Sequence, residues 1–249
     1  MQTNQRNIIF GRHPVLDAIK AGVSIDKVYL QQGTTGELEM ILRKVTREKN
    51  IPVVMTPKER LAQMVDGNHQ GVVAIMGEIA YYELEKLLPK ILKEKEAPVF
   101  LIIEGVTDIR NFGAIARSAE LGGVDALIVP TRKSAQINSA SMKASAGALA
   151  TIPVCREQNL ITAIDLLQSN DIMVFVSDLR ADKAVYDLDL KEGIGLILGA
   201  EDTGVTKPLV RQADDRFVIP QKGNTDSFNV SVAAGIMLYE VNRQRVKKA

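Results

Sequence analysis

The chain has 249 residues, 46% of them apolar and 24% charged, with a net charge of +1. That is one large domain or two modest ones with enough apolar content for a packed core, which excludes disorder as the main state. The near-neutral charge excludes a strongly cationic nucleic-acid coat, the single Cys155 excludes an intrachain disulfide, and no apolar run reaches the ~20 residues of a membrane span. The first ten residues, MQTNQRNIIF, lack a secretory apolar region. Together with the lone cysteine, this predicts a reducing cytoplasmic setting. Trp is absent and aromatics are 4%, so stacking surfaces for single strands are expected to be sparse.

In chain order, residues 1–76 read as a small α/β unit. His13–Ala21 is a predicted helix and Lys27–Leu30 a short strand. Thr35–Lys49 is helical, with Leu38, Ile41, Leu42 and Val45 at spacings of three, four and seven. Pro52–Met55 is a second strand, Pro57 opens a further helix, and the run GVVAIMGEI from Gly71 is a third strand. Residues 77–97 are charged and interrupted by Pro89, which predicts an amphipathic connector ending in a linker.

Residues 98–249 alternate strand and helix. Val99–Ile103, Ala126–Val129, Ile172–Val176, Ile194–Leu198 and Phe217–Ile219 are predicted strands. Asn111–Leu121, Leu160–Gln168, a short helix near Pro208 and a last helix from Ser227 past Val241 are predicted helices. Strands without polar alternation are those buried on both faces, so a mostly parallel α/β sheet is expected.

Several chemistries fail on inspection. GAEDTGVT, from Gly199, has P-loop glycine spacing, but Val205 and Thr206 stand where Lys and Ser/Thr are required. Gly193–Gly195 precedes a strand, so it is no dinucleotide fingerprint. Both histidines, His13 and His69, lie in the first unit, which removes His-based nucleophilic catalysis from the second. No His/Cys spacing suits a metal, so no metal is expected.

Three segments remain, each a strand, a Gly-rich or polar turn, and a helix start. In EGVTDIRNFGAIARSAELGG, Asn111 is a candidate helix cap and Gly113 begins a smooth small-residue face. Arg117 there is a surface residue within reach of Glu120. In LILGAEDTGV, Gly199 and Gly204 bracket Glu201 and Asp202 at a strand's carboxyl end, where acids also suit a helix N-terminus. In FVIPQKGNTDSFNVSVAAG, Ile219 and Pro220 end a strand, Asp226 or Ser227 is a candidate cap, and Phe228, Asn229 and Ser231 follow. A local basic excess, Arg110, Arg117, Arg132, Lys133 and Lys143, could meet phosphates.

In register, these segments resemble the signature motifs of the SpoU/TrmH family of RNA 2′-O-ribose methyltransferases: N-x-G-x-x-x-R at Asn111, Gly113 and Arg117; G-x-E-x-x-G at Gly199, Glu201 and Gly204; and I-P with S-x-N-x-S at Ile219, Pro220, Ser227, Asn229 and Ser231. SMKASAGALATIPV, from Ser141, is similar to the family's S-A-G-A segment, with Ala150 and Thr151 where Glu-His is frequent and Phe228 where Leu is frequent. GRHPVLDAI and NHQGVVA resemble the RNA-binding domain of the RlmB-type subgroup, which methylates a guanosine ribose in 23S ribosomal RNA.

The resemblance implies an RNA-binding domain over 1–76, a linker over 77–97, and an α/β-knot (SPOUT) methyltransferase domain with a deep trefoil knot over 98–249. It implies S-adenosylmethionine as cofactor, held by Gly199, Gly204, Ile219, Pro220 and Phe228. It gives catalytic roles to Arg117, Asn111, Glu201, Ser227 and Asn229, with Arg117 clamping the phosphate beside the target ribose. It implies a homodimer with the active site at the interface. Within the family a transfer-RNA ribose methyltransferase is the alternative; outside it, a non-catalytic ribosome-assembly protein that binds RNA.

Overall fold

The computed structural model describes residues 7–246, without the Leu38 side chain. The apolar position expected at Leu38, and the start of MQTNQRNIIF, lie outside the described residues. Contacts divide the chain into two units, residues 1–80 and 81–249.

The first unit contains β1 (Ile8–Phe10), α1 (Arg12–Lys20), β2 (Ile25–Gln31), α2 (Glu37–Glu48), β3 (Val53–Thr56), α3 (Lys58–Ala62) and β4 (Val72–Met76). Its sheet runs β1-β4-β2-β3, antiparallel at β1–β4 and β4–β2 and parallel at β2–β3. Alternation of side chains along β2 and β4 feeds two cores. Val28, Leu30, Val72 and Ala74 pack with Val15, Ile19 and Leu42, while Val73 meets Leu61 and Val65.

The second unit contains β5 (Tyr81–Tyr82), α4 (Leu84–Glu94), β6 (Val99–Ile103), α5 (Ile109–Leu121), β7 (Ala126–Pro130), α6 (Ser139–Ala144), β8 (Val154–Glu157), α7 (Leu160–Gln168), β9 (Met173–Ser177), β10 (Ile194–Leu198), α8 (Lys207–Gln212), β11 (Asp215–Phe217) and α9 (Val230–Arg245). Its seven strands, ordered β11-β9-β10-β6-β7-β8-β5, are all parallel. Every residue of β6 and β10 is buried, as their unbroken apolar runs require. Cys155 sits in this core, and burial first, then the Glu157 charge, pushes its thiol up to about 12.

The linker expected over 77–97 is corrected by this arrangement. β5 joins the second sheet beside β8, and α4 buries Leu84, Leu88 and Ile91 in the second core. Pro89 lies inside that helix and costs it ~3 kcal/mol. Burial of three large apolar side chains, at ~1.5–3 kcal/mol each, outweighs it.

Smaller corrections follow from capping and pairing. The cap of α5 is Asp108, whose Oδ1 accepts from Arg110 N at 2.9 Å and Asn111 N at 2.8 Å. Asn111 is therefore inside the helix with its amide free for other work. The cap of α9 is Asn229, not Asp226 or Ser227. The edge strand expected at Phe217–Ile219 is Asp215–Phe217, and Val218 makes only an isolated bridge to Ala184. Gly113 does not present a free face. A Cβ there would lie 2.5 Å from Ala144 Cβ and 2.9 Å from its carbonyl carbon, so α5 and α6 touch backbone to backbone.

Strand order places the site. From β6 the chain proceeds to β7 on one side of the sheet, whereas from β10 it proceeds through α8 to β11 on the other. Neighbours β6 and β10 thus flank a topological switch point, and the crevice outside their carboxyl ends is where an open α/β sheet receives ligands.

Candidate functional site at the switch point

The loop leaving β10 is folded back hard on itself. Gly204 has φ +64° and donates its N–H to Ala200 O at 2.8 Å. A Cβ on Gly199 would overlap the Gly204 carbonyl group and the Val205 nitrogen, so only glycine admits this fold. Glu104, one residue past β6, pins the far end of the loop. Its Oε2 accepts from Thr206 N and its Oε1 from Thr206 Oγ1, both at 2.8 Å. The sequence reading did not single out Glu104; its place directly after a buried strand was the available signal.

A cleft of about 660 Å³ opens here, a size suited to a small organic ligand. Gly199, Glu201, Gly204, Ile219, Ser227 and Phe228 all line it, so six of the ten sequence-predicted site residues share one cavity. Ile219 is buried, while Phe228 is 38% exposed and gives the cavity a partly open apolar wall. Asp178, at the end of β9, lines it too and was missed by sequence reading, since nothing around it forms a motif. Burial works against its ionisation. Hydrogen bonds from Arg180 and the charges of Arg180 and Arg216 outweigh that and hold its carboxyl below the usual range.

Beside the cleft, three motif residues meet across the chain. Asn229 Nδ2 donates to Asn111 Oδ1 at 3.1 Å and lies 3.4 Å from Glu201 Oε1. Asn111 Nδ2 donates to Glu201 Oε2 at 3.4 Å. Asn229 Oδ1 in turn accepts from Ser231 N at 3.0 Å and Ser231 Oγ at 2.6 Å. The two amides therefore orient the Glu201 carboxylate, and the same Asn229 caps α9. The long donor distances fit a cluster ready to rearrange around a ligand.

Two predicted residues stand apart. Pro220 is exposed and does not line the cleft. Arg117 is exposed on α5, lines no described cavity, and makes no hydrogen bond or ion pair among the described residues, with Glu120 or otherwise. Among the described residues, no group of three or more His, Cys, Asp or Glu could hold a metal ion.

Residues 98–239 match the model of the SpoU rRNA methylase family, and residues 8–82 match that of the RNA 2′-O ribose methyltransferase substrate-binding domain. A TrmH family tRNA/rRNA methyltransferase of Staphylococcus epidermidis is 33% identical over 238 residues, 96% of each chain. YacO of Bacillus subtilis, of the same family, is 30% identical over 244 residues, 98% of each chain. Among solved structures, the AdoMet-bound rRNA methyltransferase of Sinorhizobium meliloti aligns with a TM-score of 0.60 at 24% identity, covering 97% of this chain and 88% of that one. The SpoU methyltransferase AviRb of Streptomyces viridochromogenes aligns at 0.61 and 23% identity, covering 96% and 89%. These two likenesses speak to the fold. With the methylase model spanning more than half of the sequence and near full-length relatives at 30% identity or more, the chain belongs to the SpoU/TrmH family of RNA 2′-O-ribose methyltransferases.

Proposed function

We propose that this protein transfers the methyl group of S-adenosylmethionine to the ribose 2′-hydroxyl of a guanosine in 23S ribosomal RNA. The observation that carries the reading is the cleft at the switch point, with a backbone-lined loop on one side, the apolar Ile219 and Phe228 on another, and carboxylates at its rim. These residues suit the cofactor. Gly199 lets a flat heterocycle approach the main chain, Ile219 and Phe228 supply apolar walls, and the carboxylates of Asp178, Glu201 and Asp202 favour a cation.

S-adenosylmethionine supplies a methyl group carried on a positively charged sulfur. The chain's own residues supply placement. Asn111 and Asn229 hold Glu201, and Ser227 stands at the cleft wall, so a ribose hydroxyl entering there finds both an acceptor and a donor. Fixing oxygen, methyl and sulfur in line gives much of the acceleration in such transfers. The guanidinium of Arg117 suits a phosphate clamp through its bidentate fork.

The reading includes a homodimer. Arg117 lies outside the cleft of its own chain, and the apolar Leu121, Val232 and Tyr239 on α5 and α9 are exposed, which supports a site completed by a second copy. It also includes a knotted carboxyl-terminal segment, supported by the return of the chain from edge strand β11 to Asn229 beside the loop after β10. Among the described residues no helix is long and apolar enough to cross a membrane, and an RNA substrate sets the reaction in the cytoplasm. The ribosomal target rests on the likeness of Gly11–Ile19 and Asn68–Ala74 to the guanosine-modifying subgroup.

The test is transfer of labelled methyl from S-adenosylmethionine to unmodified 23S ribosomal RNA and to transfer RNA, with Arg117→Ala as control. Label on 23S RNA that disappears in the variant is expected. Label on transfer RNA alone moves the substrate to that class, and cofactor binding without label on either RNA removes the proposed substrate.

A further inference from the structure

The first unit holds a second built cavity, of about 800 Å³, between the start of α1, the loop after β2 and the turn before β4. Its lining includes Arg12, His13, Lys58 and His69, with no carboxylate and no aromatic ring other than the two imidazoles. His69 is 93% buried, at 7% relative exposure, yet only one of its ring nitrogens is used. Its Nδ1 accepts from Gly71 N at 3.0 Å. An accepting Nδ1 carries no proton, so the neutral ring's proton is on Nε2, which has no partner among the described residues. His69 lines the cavity, so this unpartnered donor is available to a ligand there.

The surrounding backbone is shaped for that histidine. Gln70 and Gly71 both have positive φ, at 49° and 81°, turning the chain sharply behind it. Arg12 Nε donates to Gln70 O at 2.9 Å, which leaves its two terminal nitrogens without a partner among the described residues. Lys58, exposed at the start of α3, likewise makes no hydrogen bond or ion pair among the described residues. Cations thus stand at the mouth and a neutral donor stands in the floor.

We infer that this cavity receives one unstacked nucleotide of the substrate RNA. His69 Nε2–H donates to an acceptor on the base edge, and Arg12 and Lys58 contact the flanking phosphates. The cavity far exceeds the size of a bare phosphate and suits a nucleotide. Structured RNA is read through bases splayed out of loops and bulges. With no Trp, Tyr or Phe in the lining, recognition here works through hydrogen bonds and charge. The inference rests on the RNA-modifying reading and names the part of the substrate that the first unit holds.

The experiment uses the full chain and reads binding, not methyl transfer, so its failure and that of the proposed reaction are separable. Affinity is measured for an RNA hairpin with an unpaired loop and for the same sequence annealed into a full duplex. Lys58→Ala changes an exposed side chain with no role in the fold. His69→Asn retains an acceptor for Gly71 N and, being shorter than the imidazole, draws its remaining amide donor back from the place of Nε2. Each is expected to weaken hairpin binding about tenfold, with duplex binding, S-adenosylmethionine affinity and the thermal transition unchanged. Wild-type hairpin affinity in Lys58→Ala and His69→Asn would overturn the inference. So would competition by free guanosine monophosphate at concentrations equal to the hairpin's, which would make this a small-molecule site.

Discussion

Replacing Gly199 by Ala is the sharpest perturbation the site offers. The new methyl group would overlap the Gly204 carbonyl and the Val205 nitrogen, all main-chain atoms that cannot swing aside as a side chain would. The loop has to move as a body, breaking the 2.8 Å Gly204–Ala200 hydrogen bond and pulling Thr206 from Glu104. Overpacking of this kind costs about 3 kcal/mol, the upper end of its ordinary range. If the native loop is needed to hold the cofactor, that cost reappears in binding as a loss of about 100-fold. Gly204→Ala is the matched control. Gly204 has φ +64° but open space around it, so a methyl group there costs only the left-handed backbone, about 1 kcal/mol. Isothermal titration with S-adenosylmethionine and scanning calorimetry read both variants. Gly199→Ala should lose about 6–12 °C in Tm and Gly204→Ala about 2–4 °C. A Gly199→Ala protein that binds the cofactor within threefold of wild type, or that melts no lower than Gly204→Ala, would refute the steric reasoning.

Other substitutions separate placement from stability. Asn229→Asp keeps the oxygen that caps α9 but loses the donor to Asn111 and sets a second carboxylate against Glu201. Its kcat/KM should fall at least about tenfold with a Tm loss under about 4 °C, and unaltered turnover would remove Asn229 from the site. Gly113→Ala forces α5 from α6 and should lower stability by about 1–3 kcal/mol in denaturant unfolding; a neutral result would show that the two helices yield. The hydrogen bond from Arg243, then that from Gln244, holds the Glu240 carboxyl below its ordinary value against the cost of burial. Its stabilisation is therefore present above the unfolded value near ~4.3 and is lost as pH falls through the folded one. The Tm advantage of wild type over Glu240→Gln should be full at pH 6 and shrink towards pH 3; a constant difference would contradict the assignment.

The parts of this molecule that the sequence disclosed are those whose cause is local. Val99–Ile103 and Ile194–Leu198 have no polar alternation, and both proved to be central parallel strands. Gly199, Glu201, Ile219, Ser227 and Phe228 were singled out through their resemblance to the family's motifs, and the structure lines one cleft with them. What failed depends on distant partners. The charges and Pro89 of residues 77–97 suggested a connector, while the apolar seam of Leu84, Leu88 and Ile91 found its partner in a core built mostly by later residues. β8 was hidden because Val154 and Cys155 follow a run of small residues, and only pairing with β7 and β5 makes them a strand. Asn111 looked like a cap until Asp108, three residues earlier, took that role and released its amide to Asn229 and Glu201. His69 looked like an ordinary turn residue because nothing in the sequence says which of its nitrogens is used.

The central claim is methyl transfer to a ribose hydroxyl, and the most direct measurement is the position of the label. RNA methylated by the purified protein with labelled S-adenosylmethionine would be cut to completion with alkali and the label followed. A methylated 2′-oxygen cannot attack its neighbouring phosphate, so the account predicts label in an alkali-resistant dinucleotide whose first residue is guanosine. Label recovered in single nucleotides would place the methyl on a base and contradict the account.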